Sequence, residues 1–210
     1  MTRLTLLASA ALLAAAPAFA QPQPPAGGMT TTTPGTRGEA VNATQFIRMA
    51  EMSNRSEIAA ARLAEQKSEN AQVKQFARRM TQDHEQLGQN MQKVVQQLPA
   101  SVTAGLNTGP ATPGQTTSGP SSTTPGQAQG LDQKHTALLQ QLQDARGRQF
   151  DQLYIRQQVQ AHQEAVDLFS NYAQSGDNPQ LKQLASQALP TLREHLQMAQ
   201  QLERQVSGQG

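Results

Sequence analysis

Apolar residues recur at intervals of three and four along most of this chain, which is the spacing of an amphipathic helix with one buried face. The pattern predicts four long helices, over about residues 42–69, 71–98, 148–175 and 179–206, and a shorter one over about 131–145. The turn within each successive pair of long helices is short. Each pair is therefore expected to form an antiparallel hairpin, and two such hairpins make a four-helix bundle.

Local signals mark where these helices begin. Asn42 followed by Gln45 is the pattern of a capping box, and Asn70 is a suitable N-cap for the second helix. Asn178 followed by Pro179, a residue favoured at the first helical position, predicts the start of the fourth long helix. The helix boundaries at these three points therefore rest on specific residues as well as on periodicity.

The connection between the two hairpins is long. Residues 99–130 are rich in Pro, Gly, Ser and Thr and are predicted to be a disordered insertion inside one domain of residues 42–206, because neither half looks able to close a core alone. A long crossover between two hairpins is the ferritin-like arrangement. The predicted fold class is thus all-α, a ferritin-like four-helix bundle of two antiparallel hairpins with a long crossover and one short extra helix.

The N-terminal segment has the features of an export signal. Arg3 precedes an apolar stretch at residues 4–16, and small residues lead up to a cleavage site after Ala20. Residues 21–41, rich in Pro, Gly and Thr, are predicted to be a flexible leader. No second apolar run of spanning length follows, so no transmembrane segment is expected in the mature chain, which is predicted to be periplasmic or secreted.

Composition narrows the range of partners and ligands. The sequence contains no cysteine, which excludes disulfides and thiolate metal ligands. Its formal net charge is only +2, and its basic residues are interspersed with acidic ones. No basic patch with interleaved aromatic residues occurs in the sequence, so nucleic acid is not expected as a partner. Nothing in the sequence indicates a particular protein partner or an oligomeric state.

Four ionisable residues interrupt the apolar stripes of the long helices, one on each helix: Glu57, His84, His162 and His195. Residues equidistant from the turn of an antiparallel hairpin lie at the same level. Glu57 and His84 are symmetric about the first turn, and His162 and His195 are symmetric about the second. In the crossover topology the two levels lie close together, so all four side chains are expected to meet near the middle of the bundle.

Two interpretations of this cluster remain open. One carboxylate and three imidazoles suit a single Zn, Fe, Mn or Cu ion, and bundle cores are where such sites are built. In that interpretation Asp83 and Tyr154 support the ligands from outside the coordination sphere. The alternative is two buried hydrogen-bonded pairs, Glu57 with His84 and His162 with His195, which would satisfy the polar groups without a metal.

The chain also resembles a known family. The motifs, in chain order, are Val73-Lys74-Gln75-Phe76-Ala77, Asp83-His84, Phe150-Asp151-x-x-Tyr154, Leu189-Pro190 and His195-Leu196. With their spacing, the region from about 42 to 203 resembles the bacterial domain-of-unknown-function family numbered 4142, which is described as a predicted outer membrane protein and grouped with ferritin-like folds. The resemblance implies that fold and no settled activity.

A di-iron centre of the ferritin type is not expected. Such centres use Glu-x-x-His on two helices and a further Glu on each of the other two. Here Thr81 lies three residues before His84, and Leu192 lies three before His195. One core carboxylate does not neutralise two iron ions, so a di-iron oxidase or an iron store is disfavoured.

Three functional hypotheses follow. The first is a periplasmic bundle that binds one metal ion, for metal homeostasis or stress protection. The second is a non-catalytic interaction or structural module of the cell envelope whose buried polar residues only specify packing. The third is a mononuclear metal oxidase. A role other than catalysis is favoured, because the sequence contains no catalytic triad, phosphate-binding loop or pair of catalytic carboxylates.

Overall fold

A computed structural model describes residues 41–107 and 131–208 of the chain. The predicted signal peptide, nearly all of the predicted leader and residues 108–130 of the predicted insertion lie outside the described residues. The described part is all helical, and its helices are α1 (Ala43–Lys67), α2 (Ala71–Gln96), α3 (Ala100–Asn107), α4 (Gln133–Asp144), α5 (Gly147–Ser175) and α6 (Pro179–Ser207).

The predicted helix starts are confirmed by their capping bonds. Asn42 Oδ1 accepts a hydrogen bond from the Gln45 backbone N–H at 2.9 Å, and Gln45 Oε1 accepts one from the Asn42 N–H at 3.1 Å. Asn70 caps α2 in the same way, with its side chain accepting from two backbone N–H groups. Asn178 caps α6 in front of Pro179. These bonds satisfy backbone donors that a helix start otherwise leaves without partners.

The four long helices form two hairpins that pack side by side. Helix α1 packs against α2, and α5 packs against α6, while α1·α5 and α2·α6 contacts join the two hairpins. The predicted fold class, an all-α bundle of two antiparallel hairpins, is therefore confirmed. Among the described helices, none is both long enough and apolar enough to cross a membrane.

The start of the predicted disordered insertion is helical, which corrects that prediction for residues 100–107. Helix α3 is held against α1, because Thr44 Oγ1 donates a hydrogen bond to the Val102 carbonyl at 3.1 Å and Arg48 donates to the Gly105 carbonyl. Val102 and Leu106, four residues apart, pack against the apolar core. Two turns of amphipathic helix are too short to stand out from the composition of the longer segment.

Helix α4 forms the last part of the crossover before α5. The backbone N–H of Asp132, just before α4, lies 3.3 Å from Met52 Sδ. At the other end, Lys67 Nζ donates to the carbonyls of Leu142 and Gln143, at 2.8 and 2.5 Å. Helix α4 therefore runs along α1 from the level of Met52 to that of Lys67. The part of the crossover formed by α4 therefore packs against the bundle.

The core consists of two apolar clusters with a polar layer between them. The lower cluster, towards the α1–α2 turn, contains Phe76, Met80 and Tyr154. The upper cluster contains Phe46 and Tyr172, whose rings stack with centroids 4.0 Å apart. The polar layer contributes buried side chains from all four long helices, and its members are Asn54, Glu57, His84, Gln158, His162 and His195.

Candidate metal centre

Three histidines from three helices meet in the polar layer. His84 on α2, His162 on α5 and His195 on α6 are each at most 4% exposed. Their ring centroids lie 5.3 to 5.5 Å apart, so the three rings form a nearly equilateral triangle. One ring nitrogen of each lies within 4.8 Å of the other two. Among the described residues this is the group of ionisable side chains with the spacing of a metal site.

The protonated nitrogen of His162 is fixed by a backbone group. His162 Nδ1 lies 2.9 Å from the carbonyl oxygen of Gln158, one helical turn earlier. A carbonyl oxygen only accepts hydrogen bonds, so Nδ1 carries the proton and donates it. In the neutral ring, Nε2 therefore keeps its lone pair. This nitrogen faces the other histidines, because it lies 3.4 Å from His84 Nε2.

The orientation of His84 comes from a residue on α1. His84 Nδ1 donates to Asn54 Oδ1 at 2.9 Å, which again leaves Nε2 with its lone pair. Asn54 reaches this position because α2 has a glycine opposite it. A Cβ atom on Gly88 would lie only 3.0 Å from Asn54 Nδ2, so the glycine leaves room for the Asn54 amide.

His195 is oriented by a carboxylate. Its Nε2 donates to Asp83 Oδ2 at 2.9 Å, and the same oxygen accepts a bond from Arg79 Nε at 3.1 Å. The other ring nitrogen, Nδ1, is buried and has no hydrogen-bond partner in the part of the chain that the structure describes. Metal-binding histidines typically donate their second N–H to a carboxylate or a carbonyl, and all three histidines here have such an oxygen partner.

The arrangement thus brings together three histidine nitrogen atoms, none of which carries a proton that could form a hydrogen bond to another. His84 Nε2 and His162 Nε2 would repel each other at 3.4 Å unless a proton or a cation lay between them. Zinc and similar ions bind imidazole nitrogens at about 2.0–2.1 Å, which places neighbouring ligands of a tetrahedral site about 3.3–3.4 Å apart. The observed separation and the unpartnered His195 Nδ1 both fit a metal ion bound by three imidazoles.

The electrostatic environment keeps the three rings neutral. Burial, reinforced by the neighbouring histidines, lowers the pKa of His84 well below its ordinary value of 6.5. Burial lowers the pKa of His162 to about 4. The pKa of His195 is also lowered by burial, although Asp83 opposes the shift. Metal binds the neutral form of histidine, so protons compete with metal here only at a pH well below the ordinary histidine range.

Glu57, the predicted fourth ligand, lies outside this group. The three histidines have the spacing of a ligand set without it. Its carboxyl interacts with the Gln158 side chain, and burial raises its pKa to about 7. All four predicted residues are buried, but symmetry about the turns does not determine which way each side chain points. On α1 it is Asn54, one turn before Glu57, that contacts the histidines.

The two residues predicted to support the ligands lie in different places. Asp83 is in direct contact with His195 at 2.9 Å. Tyr154 belongs to the lower apolar cluster, where its ring lies 6.2 Å from those of Phe76 and Phe150. Burial raises the pKa of Tyr154 well above its usual value, so the hydroxyl stays protonated at neutral pH.

A cavity of about 150 Å³ lies beside the histidines, between α2 and α6. Asp83, His84 and His195 form one wall. Residues on both sides of Pro190, including Ala188 and Thr191, line it as well. Proline removes a backbone hydrogen bond from the helix interior. The cavity therefore lies beside the turn of α6 that contains Pro190, and it borders two of the three histidines.

Asn54, which bonds to His84, and Gly88, which adjoins Asn54, were not among the predicted site residues. A signal for Asn54 was present, because it continues the buried stripe of α1 at Ala50, Asn54, Glu57, Ala61 and Ala64 with intervals of four, three, four and three. Gly88 had no comparable signal, because its role depends on a contact with another helix.

Comparisons with known proteins agree with the helical bundle. No curated protein is significantly similar to this chain in sequence. Among solved structures, the chain is similar to one described as "CopM in the Cu(II)-bound form", with a TM-score of 0.56 and 22% sequence identity over 78% of this chain and 97% of that chain. At this identity the likeness shows the fold alone. The profile of the family described as "Domain of unknown function (DUF4142)" matches residues 28–202, and the chain belongs to this family.

Proposed function

We propose that this chain binds one transition-metal ion, Cu(II) foremost, through His84, His162 and His195, and that it serves metal homeostasis or stress protection. The observation that carries the proposal is the convergence of three buried imidazole nitrogens, two of them 3.4 Å apart, whose second nitrogens are each held by an oxygen acceptor. The alternative of two hydrogen-bonded pairs, Glu57 with His84 and His162 with His195, leaves the unpartnered Nδ1 of His195 unexplained.

The chemistry of the ligand set favours copper or zinc over harder ions. Imidazole suits Zn, Cu, Fe and Ni, and affinity for divalent ions of the first transition row rises to a maximum at Cu(II). The similar solved structure is of a Cu(II)-bound protein, which supports trying this ion first. Mn and a pair of iron ions favour carboxylate oxygens, and the histidine group contains none.

The cavity beside His195 favours one further possibility. Three protein ligands leave an open coordination position, as they do in catalytic zinc sites, where water or substrate occupies the fourth position. An exogenous ligand entering from the cavity of about 150 Å³ would reach such a position. A mononuclear metal enzyme is therefore the second candidate, and turnover of an oxidisable substrate by the copper-loaded protein distinguishes it from simple metal binding.

Export from the cytoplasm is part of the proposal. It rests on the apolar stretch at residues 4–16 and the small residues before the cleavage site after Ala20. An exported metal-binding protein meets copper and zinc before they enter the cell. When the whole chain is expressed in a bacterium, we expect an intact mass that starts at Gln21, in a periplasmic extract. A mass that retains Met1 contradicts this part of the proposal.

The test is a copper titration of the metal-free protein, purified without an affinity tag, followed by calorimetry. We expect one Cu(II) per chain for the wild type. His162→Ala should lose most of this binding, because one of three ligands is gone. His135→Ala is the matched control. His135 lies on α4, bonds to Asp132 and is outside the histidine cluster.

Two results would overturn the proposal. One is a wild-type protein that binds no copper, zinc or iron at pH 7.5. The other is equal binding by the wild type and His162→Ala, which would place the ion elsewhere on the chain. Either result leaves the polar layer as a feature of packing and supports the interaction-module hypothesis.

A further inference from the structure

A second and larger cavity lies on the opposite side of the polar layer, between α1, α4 and α5. Its volume is about 280 Å³. Most of its wall is apolar, with Leu139 from α4 and Phe169 from α5 among the buried contributors. The cavity is large enough for a small organic molecule rather than a single water, whose share of liquid volume is about 30 Å³.

Two buried polar side chains form part of the wall of this cavity. Glu57 is 6% exposed and Gln158 is 1% exposed. Each has one oxygen, Glu57 Oε2 and Gln158 Oε1, that is buried and lacks a hydrogen-bond donor among the described residues. A buried acceptor without a donor costs roughly 1–3 kcal/mol, so native proteins usually supply one. Two side chains that line the cavity therefore each carry an acceptor without a donor.

The charges around the cavity favour a cationic ligand. Asp132, Glu164 and Glu57 contribute carboxyl groups to its lining, and Lys134 contributes the lysine ammonium. That ammonium is paired with Glu164 at 2.7 Å, and Asp132 is paired with His135 at 2.7 Å. The carboxyl that remains for a cation is therefore that of Glu57. Burial raises the pKa of Glu57 to about 7, so this carboxyl ionises readily once a positive charge is placed beside it.

We propose that this cavity is a binding site for a small primary amine, with the ammonium group between Glu57 and Gln158 and its short alkyl chain against Leu139 and Phe169. An ammonium has three N–H donors and no acceptor, which matches two carbonyl-type oxygens that both lack donors. A carboxylate ligand brings only acceptors and is repelled. A neutral alcohol supplies a single donor and no charge, so it binds more weakly.

The amine site is distinct from the histidine cluster, although Gln158 contributes to both. The backbone carbonyl of Gln158 accepts the His162 bond, while its side chain lines the cavity. Binding of an amine therefore does not require a metal ion. The measurement is made on the metal-free protein, and its outcome is independent of whether copper binds.

The test measures binding of n-hexylamine, 1-hexanol and hexanoate to the metal-free protein at pH 7 by calorimetry and by chemical shifts. We expect n-hexylamine to bind at least about tenfold more tightly than 1-hexanol, and hexanoate not to bind, because a charge-assisted bond is roughly twice as strong as a neutral one. Glu57→Gln should remove this preference. Glu51→Gln, which changes an exposed carboxylate on the same helix, should keep it.

A cavity-filling variant separates the pocket from the carboxylate alone. Ala165→Leu narrows the cavity without touching Glu57, and it should abolish binding of both the amine and the alcohol. The proposal is overturned if n-hexylamine fails to bind the wild type. It is equally overturned if Glu57→Gln binds n-hexylamine as well as the wild type does, or if Ala165→Leu does.

Discussion

The hydrogen bond from His162 Nδ1 to the Gln158 carbonyl decides which nitrogen of that ring remains for a ligand. The same logic applies to His84, held by Asn54, and to His195, held by Asp83. Three different partners thus leave three lone pairs in one small volume. At the scale of single residues, the character of the site comes from these partners as much as from the histidines.

The role of Asp83 is tested by graded substitution. Asp83→Ala removes the acceptor for His195 Nε2–H and should lower Cu(II) affinity about 10–100-fold. Asp83→Asn keeps an oxygen acceptor but loses the charge, so we expect an intermediate affinity. Glu85→Ala is the control, because it breaks an exposed ion pair with Arg62 and should leave metal affinity unchanged. Equal affinity in all three variants would show that Asp83 does not position the ligand.

Glu57 gives a pH-dependent contribution to stability. Its pKa is about 7 in the folded protein against 4.5 when unfolded, so its contribution is fully present below pH 4.5 and is lost as the pH rises through 7. The loss amounts to about 3 kcal/mol. The unfolding free energy of Glu57→Gln minus that of the wild type should therefore rise by this amount between pH 4 and pH 8. The measurement is urea denaturation of the metal-free proteins. If the difference in unfolding free energy between Glu57→Gln and the wild type does not change with pH, the pKa of Glu57 is not raised in the folded protein.

At the scale of helices, the sequence was sufficient to predict the long elements, their caps and their pairing. The stripe spacing predicted α1, α2, α5 and α6, and symmetry about the two turns brought three histidines together. It was not sufficient to predict α3, because two turns of helix carry little periodic signal. It also placed Glu57 in the histidine group, because Asn54 and Glu57 share one buried stripe and spacing alone does not show which of them contacts the histidines. Side-chain direction depends on packing between helices.

The contact between Gly88 on α2 and Asn54 on α1 joins these two helices beside His84. Gly88→Ala adds a Cβ atom 3.0 Å from Asn54 Nδ2, so Asn54 must move away from its bond with His84. We expect Cu(II) affinity to fall several-fold, while helicity is kept or raised because Ala favours helix over Gly by about 1 kcal/mol. Gln89→Ala, on the exposed face of the same helix, should not change affinity. Unchanged copper binding in Gly88→Ala would show that Asn54 is not required.

At the scale of the whole molecule, the bundle is two apolar clusters separated by a polar layer. Burying six polar side chains in this layer costs stability that apolar residues would provide, unless each group finds a partner. A ligand that binds only the folded state offsets this cost. The proposed metal ion, bound on the α2–α6 side of the layer, would offset part of this cost.

Residues 108–130 are expected to contribute little to the stability of the bundle, on composition alone. The structured ends of this segment lie near each other, because Gly105 contacts Arg48 and Asp132 contacts Met52, about one helical turn apart on α1. Deleting residues 112–124 leaves roughly ten residues, which reach about 33 Å. We expect circular dichroism and Tm to be nearly unchanged.

A control shows that the melting assay is sensitive to packing in the crossover. Leu142→Ala in α4 empties a fully buried position and should cost about 2–5 kcal/mol. If the deletion of residues 112–124 lowered Tm as much as Leu142→Ala does, the deleted segment would have to pack against the bundle.

The most direct test of the central claim is a crystal structure of the protein grown with Cu(II), with anomalous diffraction recorded at the copper edge. The account predicts one strong peak inside the bundle, about 2.0–2.1 Å from His84 Nε2, His162 Nε2 and His195 Nδ1. Asp83 should remain hydrogen-bonded to the far side of the His195 ring. A copper peak at any other place, or no peak while the three rings keep their apo positions, would contradict a metal centre built by these histidines.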